Sequence, residues 1–437
     1  MDTVAQSKRD GSSVAAVQGG GANGAERVRM RCARCGHEVV YGPHDEQCAV
    51  CGWEWLDLVY RGLTRADIIS NHDALGRTSM WRYRKFLPVL DDRHIVSMGE
   101  GMTPLLRIDR LVSRLGLRNV YIKDERASAT GSFKDRAASI CISKWVESGV
   151  KEMALSSTGN VAASFAAYSA RAGIRLWIFM PEKVNSTKFT EVLFYGHHVI
   201  RVEGNYDQAG VLAKRFAQQK GISHDRGIRS PLRRESMKSL AFEIAEDLNW
   251  QVPDWYIQAV SGGIGPLGVW KGFQELYDLG ITNKMPHIAC IQASGCAPMA
   301  QAFLLDSDEI FEVKPHTEIE TLTTGRPAGY PLIYKVVKES AGHIGSVEDE
   351  EAFAAQELLA QEGIFAESAA AVAVGGLIRM AKQQLIKPDE TVVCVCSGKG
   401  LRDIDFVRRR MKQSIFMSVP GDYPDFSAVQ IPAEETV

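Results

Sequence analysis

Beginning near residue 97, short apolar runs alternate with amphipathic stretches almost to the end of the chain, and this alternation constrains the fold more than any other feature. Val120-Tyr121-Ile122, Leu176-Trp177-Ile178-Phe179-Met180, His198-Val199-Ile200-Arg201-Val202 and Val392-Val393-Cys394-Val395-Cys396 have strand length and strand composition. A strand apolar on both sides must be covered on both sides, and the helical segments between the runs supply that cover, which is the pattern of a parallel sheet. The class is therefore α/β. No unit of about 20–50 residues recurs, which argues against a solenoid. At 437 residues there is chain enough for two or three domains of about 100–200 residues each, with a core that needs no disulfide staples.

Charge and hydropathy narrow the partners. Lys and Arg total 51 against 53 Asp and Glu, a formal charge of -2, so no positive excess exists to bind nucleic acid or anionic lipid. No run approaches the roughly 18 uninterrupted apolar residues of a membrane span. An odd count of nine cysteines without a signal peptide points to a reducing cytoplasm. Residues 1–26, rich in Gly, Ala and Ser, read as a disordered leader.

Four of the cysteines are paired in sequence. Cys32-Ala33-Arg34-Cys35-Gly36 and Cys48-Ala49-Val50-Cys51-Gly52 place a glycine after each second Cys, where a tight knuckle needs positive φ. Four such thiolates can close on one tetrahedral zinc at about 2.3 Å, and an all-Cys set leaves no open position for catalysis, so this metal would be structural. A metal-free ribbon or a redox pair fits the same spacing. Cys141, Cys290, Cys296, Cys394 and Cys396 sit in apolar surroundings and read as reduced core thiols.

Ligands of open α/β sheets bind beyond the carboxyl ends of strands, and four strand-to-helix junctions carry chemistry there. In Thr130-Gly131-Ser132-Phe133-Lys134-Asp135-Arg136, Ser132 is a candidate N-cap that sets Lys134 in the first helical turn. The helix dipole destabilises an ammonium there, as a Schiff-base lysine requires; a surface lysine beside Asp135 and Arg136 fits equally. Ser156-Ser157-Thr158-Gly159-Asn160 opens a second helix with hydroxyls, a glycine and an amide, either an oxyanion site or an ordinary cap. Ser261-Gly262-Gly263-Ile264-Gly265-Pro266-Leu267-Gly268 follows an apolar run and lets backbone N–H groups approach a phosphate, though it lacks the residues of a Walker loop. Cys396-Ser397-Gly398-Lys399-Gly400 ends the last strand with a hydroxyl and glycines.

In this order the motifs resemble the fold type II, tryptophan synthase β-like enzymes that use pyridoxal 5′-phosphate, and most closely the threonine synthase family, over residues 31–407. Met80-Trp81-Arg82-Tyr83-Arg84, Gly99-Glu100-Gly101-Met102-Thr103-Pro104-Leu105, Gly363-Ile364-Phe365-Ala366-Glu367 and the cysteine knuckles belong to the same resemblance. It implies that Lys134 is the Schiff-base lysine and shuttles the substrate Cα proton, and that Asn160 hydrogen-bonds the cofactor's phenolic oxygen. It also implies that Ser157, Thr158 and Gly159 cradle the substrate carboxylate, that Ser261, Gly262, Gly263, Ile264 and Gly265 bind the cofactor phosphate, and that Ser397 faces the pyridine nitrogen. A hydroxyl does not hold that nitrogen protonated as a carboxylate would, which favours elimination and replacement over decarboxylation and transamination. Expected with it are a small amino-acid substrate, one structural zinc on Cys32, Cys35, Cys48 and Cys51, and a cytoplasmic homodimer.

Three family positions differ. Asn-Pro before the lysine motif is Ser128-Ala129 here, the Thr after the loop Asn is Val161, and an Asn-Ser pair ahead of the substrate-phosphate arginine is Gly227-Ile228. Arg233 and Lys238 remain, and Arg229, Arg233 and Arg234 are expected to keep the pocket cationic for a phosphate, sulfonate or carboxylate; a solvated arginine loop is the other reading. The leading expectation is conversion of O-phosphohomoserine and water to threonine and phosphate. Alternatives are β-replacement on O-phosphoserine as in the cysteate synthase branch, serine or threonine dehydration, and a non-catalytic zinc-dependent binding protein. Five segments are expected: the leader, a zinc-ribbon-like module over 27–60, an α/β half with the lysine over 61–250, an α/β half with the phosphate loop over 251–415, and a tail over 416–437.

Overall fold

The apolar runs become the inner strands of two sheets. The computed structural model describes residues 27–41, 47–69, 78–157, 159–182, 186–204 and 206–410; the expected leader, the expected tail and Thr158 lie outside them. The larger sheet runs His343–Val347, His287–Ala293, Trp255–Ala259, Thr391–Cys396, Asn119–Asp124 and Leu105–Arg107 in spatial order. Its first five strands are parallel, and Leu105–Arg107 closes one edge antiparallel. The smaller sheet, His198–Val202, Arg175–Pro181, Glu152–Ser156 and Ser223–His224, is parallel throughout. Among the described residues no helix is long and apolar enough to cross a membrane.

The expected boundary at residue 250 does not separate these sheets. Asn119–Asp124 pairs along its whole length with Thr391–Cys396, because Val120 and Ile122 are fully buried and a central strand is where both faces are covered. The 27–60 segment is likewise not free-standing. Its antiparallel strands Glu38–Val40, Val28–Cys32 and Leu56–Tyr60 send Val28, Met30, Cys32, Leu56 and Leu58 into the main apolar core.

The helix Pro231–Asp247 is buried almost all round, charged residues included. A buried charge needs partners, and Arg136 finds them: Nε and Nη2 donate to Glu125 at 2.8 and 2.7 Å, and Nη1 donates to Ser239 at 2.9 Å and to Glu243. Lys123 pairs with Glu243 and Asp247, both at 3.1 Å. Burial alone would push the Glu243 carboxyl up, but Arg136 and Lys123 hold it down at about 2. This network locks the helix Lys134–Glu147 to the helix that carries Arg233. Glu243→Ala leaves two buried cations short of an anion, and a stability loss of about 3–5 kcal/mol is expected; an unchanged denaturant midpoint would refute a rigid link.

Candidate active site

Backbone pairing beyond the strand ends brings the sequence junctions together. Phe133 N–H donates to Ser397 O at 3.0 Å, Lys399 N–H to Gly131 O at 2.9 Å, Glu367 N–H to Gly398 O at 3.0 Å and Gly400 N–H to Phe365 O at 3.1 Å. The lysine loop, the 363–367 segment and the final strand end are thus stitched edge to edge. The resulting cavity of about 1250 Å³ is lined by Lys134, Ser157, Gly159, Asn160, Ser261, Gly262, Gly263, Ile264, Gly265, Arg233, Glu367 and Ser397.

Lys134 is the first residue of its helix, and Ser132 Oγ accepts from its N–H at 3.2 Å. Asp135 and Arg136 beside it are fully buried, which removes the surface-lysine reading. Its Nζ lies 4.0 Å from the Phe133 ring centroid. Burial, then the charge of Arg233, push the amine down to about 7, against an upward pull from Glu367. The cavity wall and Arg233 are thus causes of this shift beyond the helix position that the sequence showed. Because the shift is downward, Lys134 is neutral and nucleophilic above pH 7. Trace acylation of the apo chain should show Lys134 labelling rise with a midpoint near 7, whereas surface lysines rise near about 10.4, and Arg233→Met should move that midpoint upward. A midpoint shared with surface lysines would contradict this environment.

The other junctions differ in detail. Ser157 Oγ accepts from the N–H groups of Gly159 and Ala162 at 3.2 and 3.0 Å, so it caps the helix Asn160–Ala172. Gly263 caps the helix Ile264–Asp278 at φ 91°, ψ 18°, a left-handed conformation that favours glycine. The first N–H groups of that helix lack intrahelical partners and face the cavity's rim. A Cβ added to Gly262 would meet nothing within 4 Å, so space is open at that residue, whereas a Cβ at Gly263 or Gly265 would press on Ile333 or Gln258.

Glu367 is a site residue that the motif quoted from sequence contained without a role. It accepts from Asn160 Nδ2 at 2.9 Å and from Ser397 Oγ at 3.0 Å. A carboxylate therefore stands directly behind the hydroxyl that was read as standing alone. Asn160 Oδ1 is buried without a hydrogen-bond partner, as expected where a group from outside the chain completes the site.

Arg233 is almost wholly buried. Its Nε donates to Asp225 Oδ1 at 2.9 Å, Nη2 lies 2.7 Å from Asp225 Oδ2, and its guanidinium stacks 4.6 Å from the Phe165 ring centroid. Asp225 is itself held by Gly227 N–H at 3.0 Å. This side-on pairing occupies one edge of the guanidinium fork and leaves Nη1 for a ligand. Asp225 had no signal in the sequence, since only folding brings it to Arg233.

The expected cationic pocket is corrected. Lys238 is buried against Glu235 and Glu275, and Arg234 turns to Asp57; neither lines the cavity. Six Lys or Arg side chains face seven Asp or Glu side chains around the wall, so any anion preference must come from local geometry and not from bulk charge. The four cysteines lie outside this cavity. Their Sγ atoms fall within 4.8 Å of one another, with Cys32 to Cys51 at 3.5 Å and Cys35 to Cys48 at 3.6 Å. The glycines after each pair, Gly36 and Gly52, adopt φ 72° and 69°.

Comparison with known proteins agrees with this arrangement. A family model described as pyridoxal-phosphate dependent enzyme matches residues 96–398. Solved structures with the same fold include maize serine racemase, TM-score 0.62, 20% identical and covering 70% of this chain and 91% of that one. Cysteine synthase from Entamoeba histolytica superposes with TM-score 0.61, 20% identical, over 72% of this chain and 90% of its own. These define the class as fold type II pyridoxal-phosphate dependent enzymes. The threonine synthase of Methanocaldococcus jannaschii is 38% identical over 88% of this chain and 96% of its own, and that of Methanosarcina acetivorans 36% over 86% and 92%. Within that class, the chain belongs to the threonine synthase family and is a pyridoxal-phosphate-dependent lyase.

Proposed function

We propose that the chain converts O-phosphohomoserine and water to threonine and phosphate, and that the observation carrying this reading is Arg233, which lines the cavity that holds Lys134 and pairs with Asp225 through Nε and Nη2 only. The donor set fits pyridoxal phosphate: an amine at about 7 for covalent attachment, open space at Gly262 just before a helix start for its phosphate, and Asn160 and Ser397 for its ring. Bound there, the cofactor supplies an electron sink conjugated with the substrate amine. Lys134, neutral above pH 7, accepts the substrate Cα proton and returns it. The N–H groups of Asn160 and Val161, in the first turn of the helix Asn160–Ala172 and so without intrahelical partners, are the donors for the substrate carboxylate. Arg233 Nη1 holds the distal phosphate as it leaves, and Glu367 fixes the orientation of Asn160 and Ser397.

Gly227 and Ile228, with the balanced wall charge, favour a second reading: β-replacement on O-phosphoserine, whose phosphate is one methylene nearer Lys134. Supplying each phosphoamino acid to the holoenzyme separates them. Equal amounts of phosphate and threonine from phosphohomoserine support the first; phosphate release from phosphoserine only, with a new amino acid when a nucleophile is present, replaces it.

For the cysteines, a tetrahedron with bonds of about 2.3 Å has edges of about 3.8 Å, close to the two measured Sγ separations of 3.5 and 3.6 Å. A structural zinc on Cys32, Cys35, Cys48 and Cys51 follows as a proposal. Thiol modification should release about one zinc per chain; purified protein without metal would sink it.

A further inference from the structure

The cysteine module does more in this fold than fill space. Its strand register places Cys32 opposite Leu56, Cys48 N–H donates to Trp53 O at 2.9 Å and Ala33 N–H to Trp55 O at 3.1 Å. The 53–57 segment is therefore built directly onto the knuckles. That segment in turn grips the chain around Arg233. Glu54 accepts from Arg229 Nε at 2.8 Å, Asp57 accepts from Arg234 Nη2 at 2.8 Å, and Leu56 O accepts from the same nitrogen. The Trp55 ring lies under both guanidiniums, 5.9 Å from Arg229 and 5.5 Å from Arg234. Arg234 Nη1 then reaches back to Ile228 O at 2.6 Å, closing the 228–234 turn on itself.

We propose that the cysteine module is a positioning element of the substrate site: through Trp55 and Asp57 it fixes the 226–234 segment and so sets how Arg233 meets the distal group of the substrate. Arg234 is the hinge of this arrangement, since one side chain ties the module to the turn that precedes Arg233. The module also ends the competition of Arg229 for the ligand, because Glu54 holds that guanidinium at the cavity wall. This placement explains why two arginines so close to Arg233 do not make a cationic pocket. The inference rests on the reading of Arg233 as the distal-anion ligand.

The test uses holoenzyme carrying Trp55→Leu together with Asp57→Asn, neither residue lining the cavity. Loss of one partly exposed ion pair and two cation–π contacts should raise KM for the phosphoamino acid roughly 5- to 20-fold, with kcat nearly unchanged and turnover of serine unaffected. Amide exchange in 226–234 should quicken while the 134–147 helix stays protected. Trp55→Phe, which keeps a ring, should restore most of the KM. If KM and exchange are both unchanged while Arg233→Ala impairs the phosphoamino acid, the module is a fold element only and the inference fails alone. If kcat falls equally for serine and the phosphoamino acid, the effect is global and the inference fails as well. Should Arg233→Ala be silent, the underlying reading of the distal site falls with it.

Discussion

Lys134→Ala should reduce turnover by at least about 10³-fold on every substrate, because one side chain supplies both the covalent attachment and the proton transfer, and general acid–base catalysis alone is worth about 10²–10⁴. The fold should survive. Nζ makes no hydrogen bond or ion pair among those described, and its amine is pushed down to about 7 by burial and by Arg233, so its loss leaves no charged partner unpaired. Circular dichroism and the denaturant midpoint should match those of cofactor-free wild type, since the bound cofactor itself stabilises the native state, and the visible absorbance of the bound cofactor should be lost. Borohydride reduction of wild type followed by peptide mass spectrometry should place the cofactor on Lys134. Its recovery on another lysine would overturn the site as drawn.

The Ser397–Glu367 contact alters what can be expected of the residues proposed to face the cofactor ring. Because Ser397 Oγ donates to Glu367 at 3.0 Å, its remaining capacity toward a ligand is as an acceptor. A hydroxyl alone would say little about the protonation of a ring nitrogen; a hydroxyl backed by a buried carboxylate favours a partner that donates. The same carboxylate fixes Asn160, so one acid organises two groups that arrive from opposite sheets.

What sequence could show follows the range of the physics. Apolar strands and helix starts are local, and the strand predicted over 392–396 is found at Thr391–Cys396, while the helix expected to open at Ser156-Ser157-Thr158-Gly159-Asn160 begins at Asn160. The lysine motif and the glycine loop were legible because their chemistry is carried by neighbours in the chain. Asp225 and Glu367 were not assigned, since each acts on residues 8 to 207 positions away. The arginine cluster misled for a different reason. A helix turns about 100° per residue, so Arg234 points well away from Arg233, and Lys238 about 140° from it. Of Arg233, Arg234 and Lys238 only Arg233 lines the cavity, and the larger sheet's borrowed strand at Asn119–Asp124 is hidden from any reading that divides a chain by sequence alone.

Arg233→Ala should cost substrates with a distal anion about 2–4 kcal/mol in kcat/KM, roughly 30- to 1000-fold, as expected for losing a charge-assisted hydrogen bond in a buried site. Part of that loss belongs to Asp225. With its partner gone, Asp225 stands nearly buried and uncompensated, and its charge repels the very anion that Arg233 attracted. Arg233→Ala combined with Asp225→Asn should therefore recover some of the lost kcat/KM, and the difference between the single and double variants measures the repulsion. Serine, with no distal charge, should turn over at nearly the same rate in wild type and both variants at a pH well above the Lys134 midpoint, where loss of the Arg233 charge no longer changes how much of that amine is neutral. A wild type that releases phosphate and threonine from phosphohomoserine, and an Arg233→Ala form that no longer does, would fix the first reading. Loss confined to phosphoserine would favour β-replacement. A silent Arg233→Ala with every anionic substrate would mean that the Asp225 pair consumes the guanidinium entirely, and dehydration of an uncharged hydroxyamino acid would then be the reaction that this cavity serves.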